Sequence, residues 1–331
     1  MGFCPILNLQ RCIDYMIYET IMEIVDIFHL CIVLLHHVWM FATCGNILEL
    51  TTTYTSPENN KVRLNVYTNN TKSKRILVIL SGCFTLTNAV YIKKFVNDLK
   101  YEHPEIYEKY NIQVITCDME VSIHTYDAVA SYIKELDIEL NNIEELVMLG
   151  FSCGGVISSH VMSKLYAYNF TKKIITYDTP LHVRYNGEVF EPYKLYRMDA
   201  MTYIMVKYAY ENHYDYEKIK YLLSKPNSIF NPNGATEYAN IAKLVHNWSD
   251  TELDHRSGFN FEQTRDTKVI HIRTLHDPIV RHETSLEHIV KNQDKITYHF
   301  ETIERNRIGH ISNMAFSLDY LKDIVYAINQ K

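Results

Sequence analysis

Gly150-Phe151-Ser152-Cys153-Gly154, followed by Gly155, joins an apolar run at 145–149 (ELVML) to a helical stretch at about 153–168. In that setting the spacing predicts a sharp strand-to-helix turn that lifts the serine hydroxyl into the open at the carboxyl end of a strand. Small neighbours are needed because a side chain on either side would strike the adjoining strand or helix. A serine hydroxyl is a weak nucleophile at neutral pH, so it needs a base, and the base needs an orienting acid. His310, in Arg307-Ile308-Gly309-His310-Ile311, is the expected base. It follows the last strand and precedes the final helix, where the chain can return over the same sheet edge. Asp277, in Thr274-Leu275-His276-Asp277-Pro278-Ile279-Val280, follows a strand ending at 273 and is the expected acid. Asp178, in Thr176-Tyr177-Asp178-Thr179-Pro180, follows the preceding strand and is the alternative acid.

Attack on a carbonyl develops an oxyanion, which two backbone N–H groups must receive. The N–H of Cys153, at the start of the helix, is one candidate. Cys83, in Ser81-Gly82-Cys83-Phe84 after the apolar run 75–80, offers the second. Five of the ten glycines (Gly82, Gly150, Gly154, Gly155 and Gly309) flank this set of residues. A helix N-terminus would also favour a Cys153 thiolate. The exposed centre of the turn nevertheless belongs to Ser152, which makes the serine the expected nucleophile.

The elements that must position these groups can be read from hydrophobic periodicity. Runs 47–54 and 62–67 alternate apolar and polar residues around the turn-like Ser56-Pro57-Glu58-Asn59-Asn60, which predicts an antiparallel hairpin. Strands are expected next at 75–80, 112–117, 145–149, 173–178, 269–273 and 296–300. Helices are expected at 88–99, 126–136, 153–168, 283–291 and 316–329. Such alternation implies a mostly parallel sheet covered by helices on both faces. The interval 181–266 breaks the rhythm with Tyr-rich helical sequence at 198–223 and 237–248, separated by Pro226, Pro232 and Gly234. A structureless loop of that length would be out of place in a compact domain, so a small helical cap is expected there.

From about residue 47 to the end the chain resembles the α/β-hydrolase superfamily, in its strand-helix order, its serine turn, and the chain order Ser152, Asp277, His310. The resemblance implies an eight-stranded, mostly parallel sheet with helices on both faces, the core being residues 46–180 and 267–331 and the cap 181–266. It also implies hydrolysis of a carboxylic ester through an acyl-enzyme, without cofactor or metal. Ser81-Gly82 stands where the superfamily often carries His-Gly, and no subfamily is assigned. Thioesterase, acyltransferase and peptidase chemistry are alternatives on the same residues. A non-catalytic binding protein built on the scaffold, or a membrane-tethered scaffold, are readings of another class. The cap's Tyr, Met, Ile and Leu residues favour a small-molecule or lipid ester with an apolar acyl chain.

Composition narrows the partners. The 331 residues include 33 basic and 39 acidic side chains, for a net charge of −6, without the concentrated positive field that a nucleic-acid binder needs. Nucleic acid is therefore not an expected partner. The seven cysteines are scattered without CxxC or metal-ligand spacing, which reads as reduced thiols and no metal. Residues 1–45 stand apart as an apolar helical segment. Within it, 27–44 carries no acidic or basic residue for 18 positions, which just reaches the length of a membrane span. The segment reads as a docked helix or a membrane contact. A cleaved secretory signal fits poorly, because the leading region is long and carries Glu19, Glu23 and Asp26. A cytoplasmic or membrane-associated location is expected over secretion.

Overall fold

The computed structural model describes residues 50–55, 63–69, 71–82, 90–117, 123–182, 249–261, 267–277, 280, 282–295, 300–308 and 318–330. The apolar segment 1–45, Cys83, His310 and most of the 181–266 interval lie outside the described residues.

The strands are β1 (Leu50–Thr55), β2 (Arg63–Thr68), β3 (Arg75–Leu80), β4 (Asn111–Cys117), β5 (Glu145–Phe151), β6 (Thr171–Tyr177), β7 (Lys268–His276) and β8 (Phe300–Ile308). They form one sheet in the order β1-β2-β4-β3-β5-β6-β7-β8. The β1–β2 and β2–β4 pairings are antiparallel and the remaining five are parallel. Around the sheet lie α1 (Val90–Glu102), α2 (Pro104–Lys109), α3 (Ile123–Glu139), α4 (Gly154–Lys164), α5 (Asp250–Ser257), α6 (His282–Lys291) and α7 (Asp319–Asn329). The short α2 begins on Pro104, whose fixed φ and missing N–H suit the first turn of a helix.

Period-two alternation sorts the strand side chains between two cores. On one face Leu77, Ile79, Val147, Leu149, Phe151, Ile175, Tyr177, Ile270 and Ile272 meet α1 and α7. On the other, Ile76, Val78, Leu80, Leu146, Met148 and Ile174 meet α3 and α4. After a charged first residue, Arg75 or Glu145, the runs RILVIL and ELVML are apolar at every position because both faces are covered. Fully burying each such side chain contributes about 1.5–3 kcal/mol, so the central strands are the most heavily anchored elements.

The last strand corrects an expectation. The run 296–300 was the expected position, but β8 spans Phe300–Ile308, and residues 296–299 lie outside the described residues. Among the described residues β8 pairs only with β7, at the edge of the sheet. Of its described side chains only Ile303 is buried, and Glu301, Glu304 and Arg305 lie among them. An edge strand needs few apolar residues and tolerates charge, so a search for apolar runs stops short of it. The consequence is functional, since the strand now ends two residues before His310 rather than ten.

Lys173 on β6 is 3% exposed, and its Nζ donates to the carbonyl of Ile328 (2.6 Å) and to that of Gln330 at the end of α7. Burial pushes its pKa down to about 8. Because the fold disfavours the charged amine, that cost is full below pH 8 and is relieved as pH rises toward 10.5, the ordinary lysine value. Tyrosines work in the opposite direction. Burial pushes Tyr132 up to about 12 and raises Tyr110, whose hydroxyl donates to Glu145. Their contribution is intact below the ordinary value of 10 and is lost above it. The melting temperature relative to a Lys173→Met variant should therefore rise between pH 8 and 10. Both proteins should lose stability above pH 10, as circular-dichroism melts from pH 7 to 11 would show.

Candidate active site

β5 delivers the chain to Ser152 with the Phe151 ring fully buried, held edge-on by Tyr91 and Phe95 at centroid distances of 5.6 and 5.7 Å. Ser152 then adopts φ +51°, the left-handed region that costs an L-residue roughly 1–2 kcal/mol. The strain is held from both sides. The Ser152 N–H donates to the Tyr177 carbonyl at 2.9 Å, extending the β5–β6 ladder by one bond, and its own carbonyl accepts from the Gly155 N–H at 3.1 Å. Cys153 follows as the N-cap of α4, its carbonyl accepting from Val156 and Ile157. Phe151 and Cys153 are buried, whereas Ser152 is partly exposed. The turn thus raises one polar side chain between two buried neighbours.

The flanking glycines are required by contact. A Cβ on Gly154 would lie 2.5 Å from the Leu80 carbonyl oxygen and 2.6 Å from that of Ser81, and one on Gly150 would lie 2.3 Å from the Gly155 nitrogen. All of these are backbone atoms that cannot step aside. Gly154→Ala would push α4 off the end of β3. Its expected cost is about 1–3 kcal/mol of stability, the usual range for overpacking, measurable by urea denaturation. The chain leaving β3 passes directly against the serine: a Cβ on Gly82 would meet Ser152 Cβ at 2.8 Å and Ser152 Oγ at 3.3 Å.

Both candidate carboxylates sit at this edge of the sheet. Phe151, Tyr177 and Ile272 are at one level across β5, β6 and β7. Asp178 directly follows β6 at φ +47° and is 1% exposed. Its N–H donates to the Ile272 carbonyl, and its Oδ1 accepts from the Thr274 N–H, each at 2.9 Å. Asp277 directly follows β7, is 5% exposed, and accepts the Val280 N–H on Oδ1 at 2.9 Å. Two strand spacings, about 10 Å, separate β5 from β7. β8 ends at Ile308, level with His276. Ser152, Cys153, Gly82, Asp178 and Asp277 are thus brought to one edge, while Cys83 and His310 lie outside the described residues.

Several neighbours of this edge carry no sequence signal. The Gly82 N–H donates to the Tyr91 hydroxyl at 2.9 Å, a contact between residues nine apart that no local pattern announces. Behind the serine, α4 is buried along ten successive residues despite its three serines and His160. Ser158, Ser159 and Ser163 donate to carbonyls of the same helix, while the Ser159 oxygen accepts the Asn260 N–H and His160 Nε2 lies 3.0 Å from the Gly258 carbonyl oxygen. His182 and Gly258 form an antiparallel bridge, and the Phe259 N–H donates to Leu181 at 2.8 Å. The interval after β6 therefore leaves and returns at one place. Among the described residues no cluster of His, Cys, Asp and Glu could hold a metal ion, and no helix is long and apolar enough to cross a membrane.

No protein-family model and no curated protein matches the chain by sequence. Solved structures do match. A Staphylococcus aureus protein assigned as an esterase is 12% identical with a TM-score of 0.54, covering 87% of each chain. Virulence factor BioJ of Francisella is also 12% identical at 0.54, over 91% of each chain. An esterase of Pyrococcus furiosus is 13% identical at 0.51, over 83% of this chain and 88% of its own. The chain has the α/β-hydrolase fold. In chain order Ser152 follows β5, Asp277 follows β7 and His310 follows β8.

Proposed function

We propose that the chain is a serine hydrolase of carboxylic esters. Ser152 Oγ attacks the acyl carbonyl while His310 takes its proton, and the N–H groups of Cys153 and Cys83 receive the oxyanion. Collapse expels the alcohol, protonated by His310, and leaves an acyl-enzyme. His310 then activates water to release the acid, with Asp277 orienting the imidazole throughout. The observation that carries the proposal is the turn itself: a non-glycine residue at φ +51°, partly exposed between two buried neighbours, at the N-terminus of a buried helix. Strained backbone conformations of this kind cluster at active sites, which supports the reading. Two of the structural neighbours carry the name esterase, which supports the same reading. Cys153 is a poorer nucleophile on geometric grounds, being only 8% exposed.

The finer features follow from the same reading. The bridge between His182 and Gly258 near the two ends of the interval 181–266 supports reading that interval as an inserted cap. Its apolar and Tyr-rich sequence suits an apolar acyl chain, and residues 27–44 would bring the enzyme to a lipid surface.

Labelling with a fluorophosphonate probe tests the proposal. The native chain should incorporate one probe per molecule, mapped by mass spectrometry to the peptide containing Ser152, and His310→Ala should label far more slowly. An unlabelled native chain, or a probe on another residue, would sink it and favour a non-catalytic protein on the same scaffold.

A further inference from the structure

Oxyanion stabilisation depends on donors being held at a fixed distance from the nucleophile, since displacement by 1 Å can cost about 100-fold in rate. Ser152 is fixed by β5, β6 and α4, but the chain after β3 has left its ladder at Leu80 and needs another restraint. Tyr91, in the first turn of α1, supplies it. Its hydroxyl accepts the Gly82 N–H at 2.9 Å, and Gly82 packs against Ser152 closely enough that a Cβ there would lie 3.3 Å from Oγ. The Tyr91 ring packs edge-on against Phe151, the residue before Ser152, at an interplanar angle of 70°. Tyr91 itself is 4% exposed. One rigid side chain therefore touches both the strand that presents the nucleophile and the loop that runs beside it.

We infer that Tyr91 is a positioning residue: by holding the Gly82 N–H it sets the spacing between Gly82 and Ser152, and with it the point from which the chain runs on to the proposed oxyanion donor. The inference rests on the serine hydrolase reading and names a residue that acts through the backbone, without contact with substrate. An oxyanion donor displaced in this way weakens the transition state and leaves the bound ester nearly unaffected.

Tyr91→Phe is the test, because it keeps the ring and its contact with Phe151 and removes the hydroxyl that accepts the Gly82 N–H. With p-nitrophenyl butyrate, kcat should fall about 10- to 100-fold while KM changes less than about twofold. The second-order rate of fluorophosphonate labelling should fall in parallel, since that reaction also builds negative charge on an oxygen in the same place. Tyr91→Leu, which removes both contacts, should lose at least as much in kcat and also lower the melting temperature. A labelled native protein with an unchanged kcat in Tyr91→Phe overturns the role of Tyr91 alone. So does a loss confined to KM or to stability. A native chain that takes up no probe overturns the hydrolase reading and the role of Tyr91 with it.

Discussion

Ser152→Ala is expected to lower ester hydrolysis by about 10^4- to 10^6-fold, the range seen when a nucleophile of this type is removed. Stability should hardly change. The backbone bonds that shape the turn, from Ser152 N–H to Tyr177 and from Gly155 N–H to Ser152, do not involve the side chain. Alanine also keeps a Cβ at φ +51°, so the left-handed strain persists. Ser152→Gly separates the two effects. It should be equally inactive, yet at least as stable as Ser152→Ala, because relief of roughly 1–2 kcal/mol of strain offsets the ~0.4–1 kcal/mol of added unfolded-chain entropy. Initial rates on p-nitrophenyl butyrate and urea denaturation of the three proteins would show both. A Ser152→Ala protein that hydrolyses the ester at even a tenth of the native rate would move the chemistry to another residue.

The second large effect distinguishes the two carboxylates. Asp277→Asn should reduce kcat/KM by about 10^4-fold, as expected when the acid can no longer hold the imidazole in its working tautomer. Asp178→Asn should stay within about tenfold of native. Each aspartate accepts one backbone N–H on Oδ1, from Val280 and Thr274 respectively, and an asparagine Oδ1 can accept the same bond. Both variants should therefore keep that bond and fold. For Asp178 the visible task is mechanical. Its N–H and its Oδ1 fasten the end of β6 to Ile272 and Thr274 of β7, one residue beyond the Tyr177 carbonyl that anchors Ser152. Melting temperatures alongside kcat/KM would confirm that neither loss comes from unfolding. The reverse order of activities would assign the acid role to Asp178.

The strands legible in the sequence share a physical feature. β3 and β5 are buried on both faces and carry continuous apolar runs, so composition alone marks them; the expected 75–80 coincides with β3, and 145–149 lies within β5. The antiparallel hairpin was legible for the related reason that period-two alternation is a local property, although its strands run Leu50–Thr55 and Arg63–Thr68. β8 was misplaced because an edge strand buries little. The serine turn was legible because its two glycines answer to close contacts that any such turn must make, with the partners at 150 and 155 only five residues apart.

By itself the sequence determined which residues could react and the order in which strands would present them: Ser152 in a glycine-flanked turn, carboxylates after two successive strands, and a histidine near the end of the chain. Tertiary structure alone decided what surrounds them. It set Gly82 against Ser152, put the Tyr91 hydroxyl on the Gly82 amide, turned Asp178 into a fastener between β6 and β7, and closed the interval after β6 on itself at His182 and Gly258. Periodicity and turn chemistry act over a few residues and are written locally, whereas these contacts join residues up to about a hundred positions apart and exist only once the sheet has brought their strand ends to one edge.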